Sequence, residues 1–276
     1  MADGRAGKVL YKRHSGLVRL THWLNVLAIS LLLMSGLQIF NAHPALYWGQ
    51  KSTFAEPWLY MGMAEVRGEP VGVTLLGDRA YRTTGVLGYS GAEGRREPRG
   101  FPAWATIPSY RDLASGRRWH FFFAWLFVIN GLVYLSAALI SGHLRRDLLP
   151  TREQWRLRHV WRDVLDHARL RFPRGEAART YNVLQKLTYL AMIGVVLPLI
   201  LLTGLCMSPG FNAGAPWLVD LFGGRQSARS IHFICAALTV LFVLVHVALV
   251  ALSGFWNNMR GMITGRYAIE TEGVRP

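Results

Sequence analysis

The sequence predicts an all-α integral membrane protein, a four-transmembrane-helix bundle with a long outer loop and an amphipathic inner segment. Three observations carry that class. Of 276 residues, 51% are hydrophobic and ten are Trp, more apolar than an ordinary soluble domain. Four apolar stretches, at 17–40, 119–141, 181–206 and 230–254, reach the roughly 20 helical residues that a hydrocarbon core requires. The basic residues behind a formal charge of +15 gather mainly between those stretches, where lipid headgroups and not nucleic acid are the expected counterpart.

The first stretch holds Arg19 and His22 near its start and is then uncharged through Phe40. It is too long for a signal-peptide core and lacks a small-residue cleavage site, so it is expected to remain as a helix. The connection 142–180 carries ten Arg against five acidic residues, whereas 207–227 carries Arg225 alone. Positive-inside bias then puts both termini on the cytoplasmic side of the membrane, with 142–180 as a cytoplasmic loop. Residues 41–118 are assigned to the outer side, because connections beyond about 60 residues translocate largely regardless of charge. That loop is rich in Gly and Pro and reads as turns and short strands without an autonomous core. It is either a docking surface for a partner or a cover over the headgroups. In the inner connection, Trp155, Arg156, His159, Val160, Trp161 and Leu165 suit an amphipathic helix on the anionic leaflet. No internal repeat is read, and the whole chain is taken as a single membrane domain, 1–276.

The chemistry lies in where the histidines fall, since ionisable groups inside membrane helices are costly. His22, His120, His232 and His246 lie within the stretches. His14, His43, His143, His159 and His167 lie outside or at the edges, and none of them is assigned a role. His232 and His246 are 14 residues apart, which puts them about 40° from a common face and about 21 Å apart along one helix. Depth pairs His120 with His232 near the outer surface, and His22 with His246 near the inner one. Two bis-histidine sites result, and haem iron with two axial imidazoles suits a bundle interior. Arg19, Arg117 and Arg229 each precede a candidate ligand by three residues, one helical turn toward an interface, where a guanidinium can hold a haem propionate. Positive flanking of spans explains the same arginines equally well. Gly36 falls at the depth of the outer pair. Cys206 and Cys235 lie inside apolar stretches and read as buried free thiols.

Arg19-Leu20-Thr21-His22-Trp23-Leu24-Asn25, Arg118-Trp119-His120, Tyr181-Asn182-Val183-Leu184-Gln185-Lys186-Leu187 and the His232 to His246 spacing resemble the bacterial cytochrome b561 / nickel-iron hydrogenase b-type cytochrome superfamily, which includes the cytochrome b subunits of formate dehydrogenase and thiosulfate reductase. The resemblance implies a bacterial inner membrane protein with 41–118 as a periplasmic loop, and two haem b groups ligated in the pairs given above. It also implies a quinone or quinol as exchangeable substrate on the cytoplasmic side, with Asn182 toward a quinone carbonyl and Gln185 and Lys186 in support. Leu184 stands where the family often has Gly. Capping and snorkelling account for these three polar residues as well.

The expected role is that of an electron-transfer subunit with no catalytic residue of its own, in a quinone-linked complex. Electrons from quinol would pass from the inner to the outer site and on to a periplasmic molybdopterin oxidoreductase or similar redox subunit. Two alternatives stand. One is a self-contained haem redox enzyme of the same fold. The other is a histidine-based proton or metal transporter, which predicts acidic residues in the spans, and the four stretches hold none.

Overall fold

Long apolar runs in this chain have no option but helix, because a helix alone satisfies its backbone polar groups within one segment. The computed structural model describes residues 7–169, 171 and 182–271. Four helical segments are long and apolar enough to cross a membrane: α1 (Gly16–Phe40), α2 (Leu113–Ile140), the segment Val183–Cys206, and α8 (Arg225–Leu252). Their outward residues are apolar. Phe122, Trp125, Leu139, Ile140, Leu244 and Val247 are all exposed, as expected of a lipid-facing surface.

The third segment is not one regular helix. It runs as α4 (Val183–Ala191), a π-helical turn at Met192–Val196 and α5 (Leu197–Cys206). Pro198 has no N–H to give and its ring crowds the carbonyl four residues back, and the widened turn just before it accommodates that fault. The inner connection holds a π-helical turn at Leu144–Leu148 and the amphipathic helix α3 (Leu157–Ala168). Two short helices, α6 (Pro209–Gly214) and α7 (Pro216–Leu221), precede α8, and α9 (Phe255–Thr264) follows it.

The long loop is built of turns and short strands. It carries a four-stranded antiparallel sheet, β2 (Ala45–Leu46), β3 (Leu59–Val66), β4 (Glu69–Leu76) and β5 (Arg79–Arg82), and a small hairpin of β6 (Gly88–Ser90) and β7 (Glu97–Arg99). The two tight turns are Arg67-Gly68 and Gly77-Asp78, of the two-residue kind that joins antiparallel strands. The loop has a core, but a shared one: Leu46, Leu59 and Met61 are buried with Phe40 of α1, against Trp58, Leu87, Phe101 and Phe233. A further pair of strands, β1 (Gly7–Lys12) and β8 (Arg266–Thr271), joins the two ends of the chain antiparallel.

The chain divides into two compact units, each with parts of all four long segments. One comprises Asn25–Ile129 and Pro198–Ala237, the other Met1–Leu24, Asn130–Leu197 and Leu238–Pro276. In the first unit, the loop caps the start of α8. Gly49 O accepts from Gln226 N and Ser227 N at 3.0 and 3.1 Å, and Gln50 Oε1 accepts from Arg225 N at 2.7 Å, which satisfies orphan helix donors. Trp58 Nε1 donates to Ser230 Oγ, which donates to Tyr47 O. In the second unit, Asn130 Nδ2 donates to Thr21 O at 2.8 Å and ties α2 to α1.

Candidate functional site

Within the first unit, His120 of α2 and His232 of α8 face each other with ring centres 6.3 Å apart and planes at 62°. Each ring is held by its Nδ1. His120 Nδ1 lies 3.2 Å from Leu32 O and 3.1 Å from Ser35 Oγ, and the Ser35 hydroxyl donates to Leu31 O at 2.6 Å. His232 Nδ1 lies 2.9 Å from Ile200 O and 3.3 Å from Thr203 Oγ1, and the Thr203 hydroxyl donates to Leu199 O at 2.6 Å. Carbonyl oxygens only accept, so both rings carry their proton on Nδ1 and present Nε2 as a lone pair. That is the tautomer a metal-ligating histidine needs.

The two holders are the same device used twice. Leu31-Leu32-Leu33-Met34-Ser35-Gly36-Leu37 of α1 and Leu199-Ile200-Leu201-Leu202-Thr203-Gly204-Leu205 of α5 are matching heptapeptides. In each, a carbonyl, a hydroxyl three residues later and a glycine after that meet one imidazole. A Cβ on Gly36 would stand 3.3 Å from His120 Cε1, and one on Gly204 3.4 Å from His232 Cε1. Sequence reasoning noted Gly36 but missed Ser35, Thr203 and Gly204. The short repeat was the available signal.

Within the second unit, His22 of α1 and His246 of α8 face each other with ring centres 6.4 Å apart and planes at 56°. Trp23 sets its edge against His22, and Phe242, one turn before His246, stacks on that ring at 5.9 Å. His22 Nδ1 is buried and without a hydrogen-bond partner among the described residues. Such an orphan costs about 1–3 kcal/mol, a penalty that a bound group hydrogen-bonding there would relieve.

Both pairs pass the same test of fit. A metal sits about 2 Å from an imidazole nitrogen, and that nitrogen roughly 1 Å from its ring centre, so one ion between two coaxial imidazoles sets the centres about 6 Å apart. Among the described residues no group of three or more His, Cys, Asp or Glu side chains gathers. A metal here would take its remaining ligands from a macrocycle, and two neutral imidazoles per site suit haem iron.

The three arginines lie as follows. Arg19 Nη1 donates to Ile263 O. The Arg117 guanidinium lies 5.8 Å from the Phe121 ring centre. Arg229 donates from Nη2 to His43 O at 2.5 Å and covers the Phe40 ring at 5.7 Å. His43, assigned no role from sequence, stacks on Tyr47 at 5.7 Å, and burial, aided by Arg229, lowers its pKa.

At the start of α4, Asn182 is the N-cap. Its Oδ1 accepts from Gln185 N at 2.8 Å while Gln185 Oε1 accepts from Asn182 N at 3.4 Å, a reciprocal capping box. Lys186 is 5% exposed, and its Nζ donates to Leu149 O and Gln154 Oε1. Tyr181 of the same motif lies outside the described residues.

With this geometry in view, comparison with known proteins decides the family. The profile of the prokaryotic cytochrome b561 family, Ni_hydr_CYTB, matches residues 13–265. The chain belongs to the prokaryotic cytochrome b561 family. Cytochromes of this family bind b-type haem, so the chain is a haem-containing membrane subunit of electron transfer in a bacterium. It is also 30% identical over 245 residues, 89% of this chain and 93% of the other, to a protein of Azospira oryzae (strain ATCC BAA-33 / DSM 13638 / PS) whose provisional name is protein-methionine-sulfoxide reductase subunit YedZ1. No solved structure matches it.

Proposed function

We propose that this b561-family cytochrome holds two haem b groups, one between His120 and His232 and one between His22 and His246, and carries electrons between the membrane quinone pool and a periplasmic oxidoreductase. The observation that supports this most is the pair of facing imidazoles, 6.3 and 6.4 Å between centres. When bound, haem iron supplies reversible one-electron chemistry. The chain's own residues fix the rest. Leu32 O, Ser35, Ile200 O and Thr203 hold the two outer imidazoles in the ligating tautomer, and Gly36 and Gly204 keep the space beside them clear. Arg117 and Arg229 are the proposed propionate partners, each one turn from a ligand. Arg19, one turn before His22, is proposed for the same role at the inner pair, and its side chain also lines a cavity with Lys12, His14 and Arg266.

The quinone is proposed to meet Asn182 on the cytoplasmic side. Asn182 is proposed to hydrogen-bond a quinone carbonyl, with Gln185 and Lys186 in support. The partner is proposed to be a molybdopterin enzyme. The name of the Azospira relative points to oxidised methionine as the substrate class of that partner.

The test is a dithionite-reduced minus oxidised spectrum and a pyridine haemochrome on detergent-purified protein, for wild type, His232→Ala and His246→Ala. Two b-haems per chain, with a different one lost in each variant, are expected. Folded wild type without haem would sink the proposal, and loss of the same haem in both variants would sink the pairing.

A further inference from the structure

The two ends of the chain build a cationic cavity that the electron-transfer reading does not use. It has a volume of about 490 Å3 and is lined by Leu10, Lys12, His14, Arg19, Thr264 and Arg266. No carboxylate is among those residues. Its walls are the β1–β8 pair, the first turn of α1 and the end of α9.

Two features mark it as built for an anion. In the antiparallel register, Lys12 stands directly opposite Arg266. Like charges directly opposed across a strand pair repel and destabilise it, and an anion bound between them reverses the sign. Arg19 Nε, moreover, is buried with no hydrogen-bond partner among the described residues. It points to a missing acceptor. Gly265 makes the room: at φ +80° it adopts the left-handed conformation, and a Cβ there would stand 2.9 Å from His14 O and 3.4 Å from Arg19 Nε. Burial, followed by the nearby Arg13, holds His14 at a pKa of about 4, so it is neutral at pH 7. The cavity's charge then comes from Lys12, Arg19 and Arg266.

We propose that this cavity binds the phosphate of an anionic phospholipid headgroup. A phosphodiester offers the acceptor oxygens that an Arg fork and a Lys ammonium recognise. The setting favours a lipid over free phosphate. Arg19 lies in the first turn of a membrane-length helix, and Leu10 of the lining, Leu20 beside Arg19 and Ile263 beside Thr264 are each more than half exposed, an apolar rim on which acyl chains can lie. Lys12 and Arg266, the residues varied in the test, are neither proposed haem ligands nor proposed propionate partners, so failure of this site would leave the haem reading untouched.

Native mass spectrometry of the detergent-purified holoprotein tests it, with phosphatidylglycerol, phosphatidylcholine of the same chains, and inorganic phosphate as probes. Wild type is expected to retain phosphatidylglycerol and not phosphatidylcholine. The double variant Lys12→Gln/Arg266→Gln should weaken that binding about tenfold or more with haem content unchanged, because each basic side chain near an anionic headgroup contributes separately. If the double variant does not fold, Lys12→Gln alone, at an exposed strand position, carries the test. Equal phosphatidylglycerol binding by variant and wild type overturns the proposal. Inorganic phosphate binding as tightly as the lipid overturns the lipid source. Loss of haem in the variant shows that the cavity serves a propionate, and overturns it too.

Discussion

Ser35 Oγ lies 3.1 Å from His120 Nδ1, and Thr203 Oγ1 lies 3.3 Å from His232 Nδ1, each hydroxyl having already given its own proton to a helix carbonyl. Both hydroxyls therefore act as acceptors, alongside Leu32 O and Ile200 O. A hydrogen bond accepted from the far nitrogen makes an imidazole a stronger donor to its metal and favours the ferric state. For the haem proposed between His120 and His232, Ser35→Ala and Thr203→Ala should each raise the midpoint potential. The bond contributes about 0.5–1.5 kcal/mol, and tenfold in a one-electron equilibrium is about 59 mV, so a rise of tens of millivolts is expected. Ser35→Thr and Thr203→Ser should restore the wild-type value. A potentiometric titration in which the alanine variants leave both potentials unmoved would refute the role.

Gly36 and Gly204 make a steric prediction about the same pair. A methyl at either position meets an imidazole carbon at 3.3 to 3.4 Å, tighter than ordinary contact, so the ring must give by a few tenths of an ångström. Gly→Ala at either site should therefore loosen the outer site without emptying it. Gly→Val branches into the ring and, under the proposed two-haem arrangement, should remove the haem at His120 and His232 while the one at His22 and His246 stays. Haem stoichiometry, read with the reduced spectrum of each variant, checks this, and an equal loss of both haems would show a general folding defect instead.

The long helices were legible because hydropathy is local, and their ends were less so because caps are not. The reading began the second span at residue 119, yet α2 begins at Leu113, since Asp112 Oδ1 accepts from Ser115 N and the polar turn through Arg117 and Arg118 precedes the apolar run. It began the fourth at 230, yet α8 begins at Arg225, because Gly49 and Gln50, far away in sequence, cap it. Pairing His120 with His232 and His22 with His246 needed only helix rise and direction. The clamp around the outer rings was hidden because it depends on phase. The π-helical turn at Met192–Val196 resets which residues of α5 face α8, and no period of 3.6 carried through Pro198 would place Ile200 and Thr203. Short strands in the loop are legible from the sequence, but their pairing into a sheet is not, for a different reason. Its strands pair beyond any local window, and its core borrows Phe40 and Phe233 from the helices.

Asn182 separates capping from quinone contact. Asn182→Ala breaks the capping box and should lower stability by about 1 kcal/mol, seen as a lower thermal midpoint in detergent. Asn182→Ser keeps an N-cap acceptor but loses the amide donor. Under the proposed quinone contact, Asn182→Ser should unfold at nearly the wild-type temperature yet oxidise quinol more slowly. Wild-type quinol kinetics in Asn182→Ser would leave Asn182 as a cap alone.

Arg99 ties down the long loop. It is 5% exposed, and its guanidinium donates to Phe101 O, Ser109 O, Thr106 Oγ1 and Gln38 Oε1. One side chain thus ties β7 and the 101–109 segment to α1. A buried fork of this kind has no substitute in an ammonium, so Arg99→Lys should fail almost as badly as Arg99→Ala. Stranding several buried acceptors costs about 2–4 kcal/mol, and the loop should open before the helices do. Limited proteolysis is the sensitive readout. Cleavage within 41–118 should accelerate in both variants while the haem spectrum persists, and a loop as resistant in Arg99→Ala as in wild type would show that the apolar cluster around Leu46 and Met61 holds it unaided.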